Sequence, residues 1–175
     1  MNIAVYCSSS ERLDDKYYEL GYMTGLAIGR KGHNLVYGGY DYGIMGRLAE
    51  GVRAGGGKVI AVVPEIFHKP EHSYDECDVL HLTANLSERK KTMEELASCF
   101  IVLPGGIGTM DELFSVAGQK AIGALDKPIK ILNAFGIYNP LGELLNNMKE
   151  ENFLYSDFNT LVTVYDSVEE LAGSL

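Results

Sequence analysis

Short apolar runs without polar alternation recur along this chain, each followed by a stretch with helical spacing. Val59-Ile-Ala-Val-Val63 and Phe100-Ile-Val-Leu103 are the clearest. A strand that is apolar at consecutive positions has both faces covered, and a parallel sheet between two helix layers supplies that environment. Strands are expected over residues 2–7, 34–37, 58–63, 78–82, 99–103, 129–132 and 161–164. Helices are expected over about 15–31, 43–54, 87–97, 109–124, 140–150 and 167–173. The alternation predicts an α/β fold: a Rossmann-like, doubly wound parallel sheet of about seven strands, flanked by helices and joined by right-handed crossovers. No linker, repeat or low-complexity segment breaks the pattern, so residues 1–175 read as one domain.

Composition narrows the partners. The formal charge of −9 argues against nucleic acid or an anionic membrane surface. Small anions stay open, because local backbone N–H groups can outweigh the global field. Three cysteines (Cys7, Cys77, Cys99) are an odd count without metal-ligand spacing, and two of them sit in apolar runs, as buried thiols would. The histidines His33, His68, His72 and His81 form no i,i+4 pair, so no metal is expected. Met1 leads straight into an apolar strand with no basic, cleavable leader and no membrane-length run, and a reducing cytoplasm is the expected setting.

Ligands of such sheets gather at the carboxyl ends of the strands, near the point where strand order reverses. Here those ends read Ser8-Ser9-Ser10, Gly38-Gly39 and Pro104-Gly105-Gly106. Ser8, Gly39, Gly105 and Gly106 are therefore candidate ligand contacts. The segment Cys99 to Glu112 is the most telling: a buried strand, three glycines within four positions, then Thr109 and two acids opening a helix. A glycine turn entering a helix N-terminus binds anions through close backbone N–H groups and the helix dipole. Phosphate is the natural guest, with the Glu112 carboxylate beside it. Thr109-Met110-Asp111-Glu112 also fits a capping box, with Thr109 as N-cap, although a plain cap needs no glycine triplet.

Ser87-Glu88-Arg89-Lys90-Lys91 opens the preceding helix on the same edge, where an arginine could pair with a phosphate. Lys90 with Glu94 and Lys91 with Glu95 have the spacing of surface ion pairs. The turn at Gly38 to Gly46 lacks G-x-G-x-x-G, there is no Walker loop, and no G-x-S-x-G elbow appears. Dinucleotide binding, ATP-driven transfer and serine hydrolysis are thereby disfavoured.

The stretch Pro104-Gly105-Gly106-Ile107-Gly108-Thr109-Met110-Asp111-Glu112 resembles the P-G-G-x-G-T-x-x-E signature of the "Lonely guy" cytokinin-activating proteins, often labelled possible lysine decarboxylases. Arg89-Lys90 with Met93, Tyr37-Gly38-Gly39 with Gly43-Ile44-Met45-Gly46, Cys7-Ser8-Ser9 and Lys127-Pro128 resemble further family segments, so the likeness spans nearly the whole chain. It implies a homodimeric phosphoribohydrolase, without a cofactor. Such an enzyme cleaves the N-glycosidic bond of a cytokinin riboside monophosphate or AMP, giving free base and ribose 5-phosphate. Arg89 and Glu112 would be catalytic by this resemblance. Lys90, Glu71 and the segment Gly106, Ile107, Gly108, Thr109, Met110, Asp111, Glu112 would contact substrate.

The chemistry fits. Glycosidic cleavage builds positive charge on the ribose, which a carboxylate at the anomeric carbon stabilises. Arg89 would hold Glu112 ionised, and the glycine turn with Thr109 would anchor the 5′-phosphate. Departures from the family are Leu86-Ser87 in place of Met-His, and Gly118-Gln119-Lys120-Ala121 in a stretch usually bearing tryptophan, which this chain lacks. They fall where the base and the dimer partner would contact the substrate. Two rivals are weighed against the hydrolase. One is a non-catalytic nucleotide or cofactor carrier, which need not keep the Arg89–Glu112 pair. The other is a pyridoxal-phosphate decarboxylase, which needs a Schiff-base lysine that no pattern here singles out.

Overall fold

The consecutive apolar residues of each run are buried on opposite faces of one sheet. A computed structural model describes residues 1–68 and 76–175. Along β1 (Asn2–Tyr6), Ile3 and Val5 join one core while Ala4 and Tyr6 join the other. The same division separates Cys99 and Ile101 from Phe100 and Val102 in β5 (Cys99–Val102). With β2 (Asn34–Tyr37), β3 (Val59–Pro64), β4 (Val79–Thr83), β6 (Ile129–Leu132) and β7 (Thr163–Tyr165) they form an all-parallel sheet of order β4-β3-β2-β1-β5-β6-β7. Strand order reverses between β1 and β5, so the crevice expected to hold a ligand opens at their carboxyl ends.

Helices α1 (Asp15–Arg30), α2 (Gly43–Ala54) and α7 (Val168–Gly173) cover one face. The other is covered by α3 (Leu86–Leu96), α4 (Ile107–Ala121), α5 (Asn139–Glu150) and the single turn α6 (Phe158–Leu161). Glycines let α1 and α2 touch backbone to backbone: a Cβ on Gly25 would stand 2.1 Å from the Leu48 carbonyl oxygen. That contact seats the N-terminus of α2 beside the loop after β1, where Met45 N–H donates to the Ser8 carbonyl at 3.1 Å.

Three boundaries depart from expectation. Leu161, expected to open the last strand, instead closes α6, because the Asp157 side chain accepts the Asn159 N–H at 3.0 Å and starts a turn. The strand begins only at Thr163. Helix α3 starts one residue early, with Asn85 as N-cap accepting the Glu88 N–H at 2.9 Å, while Glu88 accepts the Ala84 N–H at 2.8 Å. Helix α4 starts two residues early, at Ile107, with Gly106 at its N-cap and no side chain capping it.

Candidate active site

The early start of α4 changes what Thr109 and Glu112 can do. Thr109 lies in the first turn and Glu112 in the second, so the capping box does not form. Thr109 turns inward instead and is buried against the glycine turn: a Cβ on Gly105 would fall 2.0 Å from Thr109 Oγ1. The first-turn N–H groups of α4 are left without a side-chain acceptor, and no acidic residue stands among them. Helix α2 begins the same way, uncapped by any side chain and without a first-turn acid. Both helix starts border a cavity of about 430 Å3 that Cys7, Ser8, Ser9 and Ser10 also line.

Arg89 and Glu112 meet at the inner wall of this cavity. Arg89 leaves α3 and crosses the sheet edge, its Nε donating to the Val62 carbonyl at 3.2 Å. Its Nη1 stands 2.9 Å from Glu112 Oε1, with side-chain exposures of 14% and 8%. Gly38, at the end of β2, leaves the space the guanidinium needs, since a Cβ there would lie 2.4 Å from Nη2. The pair is a close charge contact rather than an aligned hydrogen bond, and Glu112 Oε1 has no hydrogen-bond donor among the described residues. That oxygen is itself buried, with the guanidinium as its close neighbour.

Burial pushes the Glu112 carboxyl above the ordinary carboxylate range, and the positive charge of Arg89 opposes this without cancelling it. Arg89 thus acts in the expected sense, favouring the charged carboxylate, while burial works against it and is the larger influence. A carboxyl raised in this way keeps its proton to higher pH than a solvated one, the direction that favours acid–base exchange. The neighbouring Cys7 thiol is pushed up too, chiefly by burial, and is no nucleophile at neutral pH.

The other expected contacts divide. Ser8, Gly106, Gly108 and Thr109 line the cavity with Arg89 and Glu112. Gly105 lies beneath, in a small cleft with Ile44 and Ile137, and Gly39 faces a separate polar cavity beside Arg47 and Arg53. Ile107 projects outward, 90% exposed, and Met110 packs into the core. Lys90 pairs across to Asp111, its Nζ 2.9 Å from both carboxylate oxygens, rather than along its own helix to Glu94. Lys91 and Glu95 form the expected surface pair at 3.8 Å. Glu71 lies outside the described residues.

The residue-by-residue reading of the sequence did not single out an apolar wall of Tyr40, Met45, Pro64, Phe67 and Leu86. The Tyr40 and Phe67 rings sit 6.3 Å apart at 55°. The signal available was the aromatic cluster Tyr37, Tyr40, Tyr42, but nothing local marks Phe67 as its neighbour. Among the described residues no group of three or more His, Cys, Asp or Glu could hold a metal, and no helix is long and apolar enough to cross a membrane.

A parallel sheet with a glycine-edged cleft and a buried Arg–Glu pair at its switch point defines a Rossmann-like α/β protein. Comparison with known proteins narrows this. The chain belongs to the family described as possible lysine decarboxylase, matched over residues 45–175, the "Lonely guy" family whose signature it bears. It is 34% identical over 168 residues to the cytokinin riboside 5′-monophosphate phosphoribohydrolase of Mycobacterium tuberculosis, covering 96% of this chain and 89% of that one. It is 35% identical to the enzyme of the same name from Rhodococcoides fascians, covering 96% and 85%. Among solved structures, the molybdenum cofactor carrier protein of Chlamydomonas reinhardtii shares the fold, with a TM-score of 0.73 at 21% identity over 99% and 94% of the two chains.

Proposed function

We propose that this chain hydrolyses the N-glycosidic bond of an adenine-type nucleoside 5′-monophosphate, a cytokinin riboside monophosphate or AMP, to free base and ribose 5-phosphate. The observation that carries this is the buried Arg89–Glu112 pair facing an uncapped helix N-terminus across one cavity. The 5′-phosphate would sit on the first-turn N–H groups of α4, with Ser8 and Thr109 beside it. That anchors the ribose so that its anomeric carbon approaches Glu112. The carboxylate stabilises the developing oxocarbenium charge and takes a proton from the attacking water, whose hydroxyl adds to the anomeric carbon; the base departs with the bonding electron pair and receives that proton, which restores the carboxylate. Arg89 orients the carboxylate and faces the nucleotide. The base would lie against Tyr40, Phe67 and Leu86, whose ring faces and alkyl surface suit a flat heterocycle.

A carrier would use the same anion cleft but has no need of a buried Arg89–Glu112 pair beside it. A Schiff-base decarboxylase needs a lysine in the cavity, and no described lining residue is one. We place the enzyme in the cytoplasm as a homodimer. Free cysteines and an acidic chain support the first, and exposed Leu86, Ile107, Phe114 and Ile122 on α3 and α4 support the second. The test is chromatographic detection of free base after incubation with AMP and with isopentenyladenosine monophosphate. Base from the wild type but not from Glu112→Gln is the expected result. Equal release from both proteins would remove Glu112 from the mechanism, and no release from either would return the carrier.

A further inference from the structure

Helix α3 delivers Arg89 to Glu112, yet it is a weakly anchored helix: Met93 is its one fully buried residue. Its other apolar contacts, partly buried Leu96 and the C-cap Ala97, lie at the C-terminal end, so the N-terminal half that carries Arg89 can roll, and a roll of a few degrees would carry the guanidinium away from the carboxylate. Polar contacts to α4 oppose that roll. Lys90 and Glu94 lie one turn apart on α3, and Asp111, Ser115 and Gln119 lie successive turns apart on α4. Lys90 meets Asp111 at 2.9 Å, while Glu94 receives Ser115 Oγ–H at 3.1 Å on one oxygen and Gln119 Nε2–H at 2.9 Å on the other. Lys127 Nζ donates to the Glu94 carbonyl at 2.6 Å, tying the same residue to the loop before β6.

These contacts differ in strength. Asp111 is 60% exposed, so its pair with Lys90 is worth little. The Glu94 clamp is partly buried, uses both oxygens and is charge-assisted, which makes it the firmer tether. We infer that Glu94, gripped from α4 by Ser115 and Gln119, is a positioning residue that fixes the roll of α3 and so holds Arg89 against Glu112. This rests on the hydrolase reading only for its kinetic consequences; the geometric effect stands apart from it.

The charged groups facing Glu112 are Arg89 and Lys90 from α3 and Asp111 on its own helix, with neutral Tyr6 and Cys7 from below. Loosening Arg89 removes the opposition to burial, so Glu112 moves further up. Glu94 is not among the charges that shift Glu112, so removing its charge while keeping the clamp should leave the Glu112 titration in place. Glu94→Gln keeps both contacts, its carbonyl accepting from Gln119 and its amide donating to Ser115, whereas Glu94→Ala loses both.

The experiment measures kcat, KM and the acidic limb of the kcat–pH profile for the wild type, Glu94→Ala, Glu94→Gln and Gln119→Ala. Alongside it runs a 13C-NMR titration of the Glu112 carboxyl, assigned by difference with Glu112→Gln. Glu94→Ala should lose about tenfold in kcat with KM within about twofold, as small misplacements of catalytic groups do. Its acidic limb and the Glu112 titration should both move up. Gln119→Ala should move the same way by less, and Glu94→Gln should match the wild type. Unchanged kcat in Glu94→Ala, a fall without any pH shift, or an equal fall in Glu94→Gln would each overturn the assignment. If the wild type cleaves no nucleotide, the hydrolase reading fails by itself, and the titration still decides: an upward move in Glu94→Ala upholds the positioning role, and none overturns it.

Discussion

Arg89 reaches three parts of the sheet edge at once: the β3 carbonyl of Val62, the glycine at the end of β2 and the carboxylate of Glu112 on α4. Gly38 therefore acts through its missing side chain. In Gly38→Ala the new methyl would displace the flexible end of Arg89 and the Met45 tip, not backbone, so the fold should hold while the disturbed buried pair costs about 1–3 kcal/mol. Turnover should fall about tenfold or more, because the guanidinium loses its seat. Paired urea melts and rates check this, and unchanged turnover would mean that Arg89 keeps its place without the glycine. Glu112 carries a pH signature. Its native carboxyl lies above the unfolded value of 4.5, so the native state holds its proton longer as pH rises. The stability of the wild type relative to Glu112→Gln should be highest below the ordinary carboxylate range and decline as pH rises through and above it, followed as the difference in Tm. A difference that grows over that range would mean that Arg89 outweighs burial.

At the scale of elements, the two helix starts that matter most are opposites. Helix α3 is capped reciprocally by Asn85 and Glu88, and α4 is left bare. The sequence pattern pointed to a capping box on α4, since Thr109 and Glu112 have the right spacing. The chain instead enters the helix at Ile107, straight from the glycines, which exposes the first-turn N–H groups and sends both polar side chains inward. Close packing of α1 on α2 holds another bare helix start beside the same cavity. Gly25→Ala would press a methyl into the Leu48 carbonyl and the Val52 amide, backbone atoms that cannot step aside. It should cost about 1–3 kcal/mol of stability, as overpacked cores do. A lowered urea midpoint at constant slope would bear this out, and an unchanged midpoint would mean that the two helices separate freely.

For the whole molecule, strand order does the assembling. Gly38, Val62, Arg89 and Glu112 come from four elements, and only the sequence β3-β2-β1-β5 brings their carboxyl ends to one crevice. Exposed Ile107, Phe114 and Ile122 leave an apolar surface on α4 beside that crevice, and a second copy of the chain is the proposed cover. Ile122→Glu should then shift the protein to a monomer in light scattering while leaving its circular dichroism intact. An unchanged mass would remove this surface from the interface.

Most of this fold was legible in the residues themselves. Apolar runs without alternation announced a sheet buried on both faces, and the glycine turn at 104–108 marked the edge of the cavity at the switch point, because both depend on local composition and spacing. The partners of the site side chains were not. Lys90 had Glu94 one turn away yet pairs with Asp111, and Glu94 turns to Ser115 and Gln119. Periodicity says which face of a helix is polar, but only packing says what that face meets. The state of Glu112 was decided there as well: the arginine beside it was foreseeable, but the depth of its burial, which outweighs that charge, belongs to the tertiary structure alone.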